Sequence, residues 1–110
     1  MPPPKFHKYF TTFTADALGR IPVTGVLKVA AFRKVHLEII QWPHVDVKMT
    51  VVCNMGKLKN QILGQQVGQF HLHTEGGIHS FDVIGPDFSV VLMGAKKDQQ
   101  VPIQAWVLLH

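Results

Sequence analysis

His71 and His73 lie within the stretch from Gly68 to Val83, GQFHLHTEGGIHSFDV, and their spacing is the clearest opening for chemistry in this chain. On an extended strand, residues i and i+2 project to the same side. Two imidazoles so placed, joined by a carboxylate from a neighbouring strand, would give a metal three ligands and leave one position open. The local pattern offers Asp82 as that carboxylate. Phe70, Leu72 and Thr74 alternate with Gln69, His71, His73 and Glu75, and after Gly76-Gly77 the alternation resumes with His79, Phe81 and Val83 against Ile78, Ser80 and Asp82. Such a pattern predicts a β-hairpin with a type I′ turn on the glycine pair. Its register pairs Glu75 with Ile78 and His73 with Ser80, and sets His71 across from Asp82. Leu72 then meets Phe81 and Phe70 meets Val83, so the apolar residues share one face.

The favoured reading of the polar face is a simpler one, in which the imidazoles pair with Asp and Ser across the ladder. Its rival is a metal-binding or metal-dependent protein using His71, His73 and Asp82. The His-x-His spacing resembles the start of the first cupin motif. Gly64 lies one residue too far upstream for that motif, Glu75 comes too soon, and no second motif with a further histidine follows. No family is assigned on these residues, and no cofactor is expected. His79 falls on the apolar face and reads as a rim residue bonded to a loop carbonyl. His7, His36, His44 and His110 are dispersed. With no G-x-S-x-G turn, no close pair of acids and an inward-facing Cys53, no catalytic constellation emerges and the chain reads as non-enzymatic.

A second constellation is apolar rather than polar. Val101, Ile103, Ala105, Val107 and Leu109 take one face of the last strand, yet Trp106 and Leu108 stand on the other beside Gln104. Ile40 and Trp42 likewise share a face with His36 and Glu38. Strands that are partly apolar on both sides point to a covered outer surface. Ile40, Trp42, Trp106 and Leu108 are therefore the candidate interface residues. A contact between copies of the chain ranks first, a covering loop second, and a sugar-stacking platform of a carbohydrate-binding module third.

The elements that must position these residues are strands. Pro2 to Pro4 forbid a helix start and favour an extended arm, assigned to residues 1–8 ahead of a single domain over 9–110. Strands are expected at Tyr9 to Thr14, Pro22 to Phe32, Val35 to Trp42, Val45 to Cys53, Ile62 to Val67, across the hairpin, at Phe88 to Met93 and at Val101 to Leu109. Ala31 pairing with Leu37 would make a second hairpin, and Gly64 or Gly68 is expected to mark a bulge. No 3.6-residue apolar stripe appears anywhere. Eight or nine short strands separated by turn signals define an all-β fold: a two-sheet antiparallel sandwich, jelly-roll or another Greek key, with essentially no helix.

Composition narrows the partners. The 110 residues are 46% hydrophobic and only 16% charged, a deficit of charge that a partner surface would explain. The net charge of +4 comes from bases scattered over the chain, without the blocks or interleaved aromatics of a nucleic-acid binder. No apolar run approaches the roughly 20 residues of a membrane-spanning helix. One cysteine and the absence of a secretory signal suggest a cytoplasmic setting. The expectation is a small binding or assembly module that forms a homo-oligomer. Any small-molecule or glycan ligand is left open.

Overall fold

The computed structural model describes residues 2–41, 48–56, 65–72 and 75–110. Nine strands and no helix make up their regular structure: β1 (Lys5–Thr14), β2 (Arg20–Pro22), β3 (Leu27–Lys28), β4 (Lys34–Gln41), β5 (Thr50–Met55), β6 (Gln65–His71), β7 (Ile78–Asp82), β8 (Asp87–Met93) and β9 (Gln100–Leu109). They form two sheets. The first runs β1-β9-β4-β7, and the second runs β2-β8-β5-β6 with β3 also beside β8. All the pairings are antiparallel.

The alternation along each strand decides which side chains meet between the sheets. From β9, Val101, Ile103, Ala105, Val107 and Leu109 are all buried, as are Val35, Leu37 and Ile39 of β4 beside it. The second sheet answers with Val51 and Cys53 of β5 and Phe88, Val90 and Leu92 of β8. Burial in this apolar layer pushes the Cys53 thiol up to about 12. That leaves it protonated and unreactive at neutral pH. Phe81 of β7 bridges the layers, its ring 5.9 Å from that of Phe88.

Several expected pairings are corrected. The hairpin across Gly76-Gly77 does not form: β6 pairs with β5 in one sheet and β7 pairs with β4 in the other. Of the two glycines only Gly77 has a positive φ, 111°, whereas a type I′ turn needs two such residues in succession. The connection is a corner that carries the chain between sheets, held by Glu75 N donating to the His71 carbonyl at 2.8 Å. Phe70 and Phe81 still both face the core, because alternation specifies a face and not the neighbouring strand. The hairpin joining Ala31 to Leu37 is also absent. Residues 22 to 32 contribute instead to β2 and β3, which lie against opposite ends of β8. Thr24 Oγ1 accepts from Val90 N in the gap between them, at 3.1 Å.

Two sites agree with local signals. The β5–β6 register shifts where Cys53 pairs with Gly68 but Asn54 pairs with Gln66, a bulge beside the expected glycine. A Cβ on Gly68 would lie 2.6 Å from Phe81 Cε1, so the bare backbone there seats the bridging ring. The first strand begins at Lys5, whose partner is Leu109, so residues 5–8 of the expected arm are paired to β9.

Removing Phe88 should expose how much the inter-sheet layer contributes. Phe88→Ala is expected to lower the unfolding free energy by about 3–5 kcal/mol in urea denaturation, the range for losing a fully buried aromatic. Gly85→Ala places a methyl 2.3 Å from Gly56 Cα, a clash with backbone. It should cost at least about 1–3 kcal/mol by the same measurement.

Candidate functional site

The outer face of the four-stranded sheet is built from strands whose second side is partly apolar. β9 lies between β1 and β4, so its outward residues form cross-strand rows with theirs. One row runs Phe6, Leu108, His36, Ser80; the next runs Lys8, Trp106, Glu38, Ile78; a third runs Phe10, Gln104, Ile40. Phe10 is 59% exposed, Ile78 62%, Phe6 52% and Ile40 40%. Such a concentration of exposed apolar side chains on one sheet face is the feature that marks an interaction surface.

Trp106 is the centre of this face and is fixed on both sides. Its Nε1–H donates to Glu38 Oε1 at 2.8 Å. Phe6 stacks on it at 5.7 Å between ring centroids, and the Lys8 ammonium sits 5.5 Å from the Phe6 ring. A partly buried indole with its donor satisfied and its ring wedged is rigid, as a contact anchor should be. Beside it, Phe10, Thr12, Pro102 and Gln104 line a shallow depression. The outer face of the second sheet is more polar, with Thr50, Gln69 and His71 among its residues.

Three of the four candidate interface residues thus share one face: Ile40, Trp106 and Leu108. Trp42 lies outside the described residues. Sequence reasoning missed Phe6, which the proline run places in an arm, and Phe10, which lies in the expected first strand without a face assigned to it. The alternation from Phe6 through Lys8 to Phe10, in phase with Trp106, was the signal that could have found them.

Two of the candidate metal ligands, His71 and Asp82, are not brought together. His71 stands on β6, where its Nδ1 lies 3.4 Å from Thr50 Oγ1, while Asp82 stands on β7 in the other sheet and pairs with Lys34. His73 lies outside the described residues. Their separation follows from the corner that replaces the hairpin. Among the described residues, no group of three or more His, Cys, Asp or Glu side chains is placed to hold a metal. His79 does bond a loop carbonyl, donating from Nε2 to Glu75 O at 2.7 Å.

Another histidine pair, far apart in sequence, meets at the end of the outer face. His36 Nε2 and His110 Nε2 are 2.6 Å apart, and His36 Nδ1 is 2.6 Å from Ser80 Oγ. Partial burial lowers the His36 pKa from its ordinary value, and the nearby charges of His110 and Lys34 lower it further.

No protein-family model and no curated protein matches the chain. Two solved structures share the fold. One belongs to Bacillus endospore appendages, which form a family of disulfide-linked pili: it is 13% identical with a TM-score of 0.53, over 97% of this chain and 87% of that one. The other is the SPBc2 prophage-derived protein YomS, 13% identical with a TM-score of 0.55, over 98% of this chain and 96% of that one. At such identities the likeness establishes a shared small all-β sandwich. Among the described residues no helix is long and apolar enough to cross a membrane.

The Trp106–Glu38 bond is a measurable element of this face. Glu38→Ala should lower stability by about 1–2 kcal/mol in urea denaturation, since the partly buried indole N–H loses its acceptor.

Proposed function

We propose that this protein is a small non-enzymatic assembly module that associates with copies of itself through the outer face of the four-stranded sheet. The observation that carries the reading is the set of exposed apolar residues Phe6, Phe10, Ile40 and Ile78 arranged around the fixed Trp106. Water contact with this surface is unfavourable by an amount that grows with its apolar area, and a second apolar face removes it.

A second copy fits the charges as well as the apolar residues. Lys8, Trp106 and Glu38 occupy one cross-strand row, with the base on one side of the indole and the acid on the other. When two such faces meet across a two-fold axis running along β9, Trp106 lies over its counterpart and each Lys8 lies over the other copy's Glu38. That is the self-complementarity an isologous contact requires.

The pilus subunit sharing this fold also supports assembly, although its linkage by disulfides does not carry over. The lone cysteine here, Cys53, is buried in the core and its thiol is pushed up to about 12. Association is therefore non-covalent.

Charged substitutions on the two outer faces test the assignment. Phe10→Glu combined with Ile78→Glu should reduce the association state in sedimentation velocity while the far-UV β-sheet spectrum is kept, because both side chains are more than half exposed. Gln69→Glu, on the opposite sheet, should leave association unchanged. Equal effects from both faces, or none from the first, would remove this reading.

A further inference from the structure

We propose that His36 and His110 form a two-imidazole binding site for a divalent transition metal ion of the copper, nickel and zinc group. The pair is built by the topology. β4 and β9 are neighbours, with His36 opposite Leu108, so His110 stands diagonally across from His36 on the same outer face. Its backbone is clamped there: His110 O accepts from both Arg33 N and Lys34 N at 2.8 Å, and His110 N donates to Lys34 O at 3.1 Å. The two ring planes are nearly parallel, 12° apart, with centroids 4.7 Å apart and the two Nε2 atoms in contact.

Ser80 can orient His36 so that it presents a lone pair at Nε2. Its Oγ lies 2.6 Å from His36 Nδ1, on the strand that flanks β4 on the other side. When Nδ1–H donates to that hydroxyl, the neutral ring has its proton on Nδ1 and leaves Nε2 as an acceptor. Metal-bound histidines are oriented in this way, by a hydrogen bond from the ring nitrogen that does not touch the metal. Across the gap stands His110 Nε2. The two Nε2 atoms lie 2.6 Å apart, joined by one hydrogen bond whose hydrogen a metal ion would displace.

A metal replaces the proton after a small adjustment. Metal–nitrogen bonds of about 2.0–2.1 Å at a tetrahedral angle set the nitrogens about 3.3 Å apart. Rotation of the exposed His110 ring supplies that opening. Imidazole donors without thiolate or carboxylate suit copper, nickel and zinc rather than calcium or magnesium. Lys34 is the nearby cation, and its ammonium is held by Asp82 Oδ1, which moderates its repulsion of a bound ion. Water completes the coordination.

Titration of the full chain with zinc chloride, followed through the histidine ring protons by NMR, tests the site. His36 and His110 resonances should shift together and saturate at one equivalent of zinc. His36→Gln and His110→Gln should each weaken binding by well over about tenfold, and Ser80→Ala, which frees the orienting contact without removing a ligand, by about tenfold. His71→Gln should leave binding as in the unaltered chain. Far-UV spectra of each variant confirm that the fold is kept. Unmoved His36 and His110 signals at millimolar zinc, or unchanged binding in His36→Gln and His110→Gln, would overturn the proposal.

Discussion

β9 is the constraint from which the rest of this structure follows, because it carries apolar residues on both sides. Its inward residues, Val101 through Leu109 at every second position, are all buried and bind the first sheet to the second by excluding water from the layer between them. Its outward residues at the alternate positions include Trp106 and Leu108, which the same pleat must turn away from that core. A strand with one polar side would have closed the core and left a solvated exterior. This one closes the core and creates a second apolar surface in the same stroke. The position of β9 between β1 and β4 then decides which side chains share that surface.

The geometry of the outer face carries the functional account. Phe6 and Glu38 hold Trp106 from either side, so the indole is presented in a fixed orientation. Rigid aromatic anchors lose little side-chain freedom on contact, which favours association through them. The rows on either side place Lys8 and Glu38 where a second copy would meet them with opposite charge. The histidine pair lies at one end of that same face, in and beside the row that carries Phe6 and Leu108.

Faces were legible in the sequence, and neighbours were not. Period-two alternation correctly sent Cys53 inward and Trp106 outward, because each of those assignments depends on one strand alone. The pairing of Phe70 with Val83 failed, since an inward residue satisfies the same pattern whether its strand turns back within one sheet or crosses to the other. With that pairing went the metal trio, which depended on His71 and Asp82 sharing a ladder. His36, Ser80 and His110 were invisible for the complementary reason: they come from three separate strands or strand ends and meet only through the β7-β4-β9 order. Phe6 was overlooked because three prolines upstream outweighed an alternation that β9 in fact pairs, residue by residue, up to Lys5.

The central claim is that the face around Trp106 meets a second copy of this chain. Light scattering on the unmodified protein across a range of concentrations measures this most directly, as the solution mass in multiples of 12.3 kDa. The account predicts a mass above that of a single chain, rising toward or holding at a whole-number multiple as concentration increases. A mass of one chain at every concentration would contradict it.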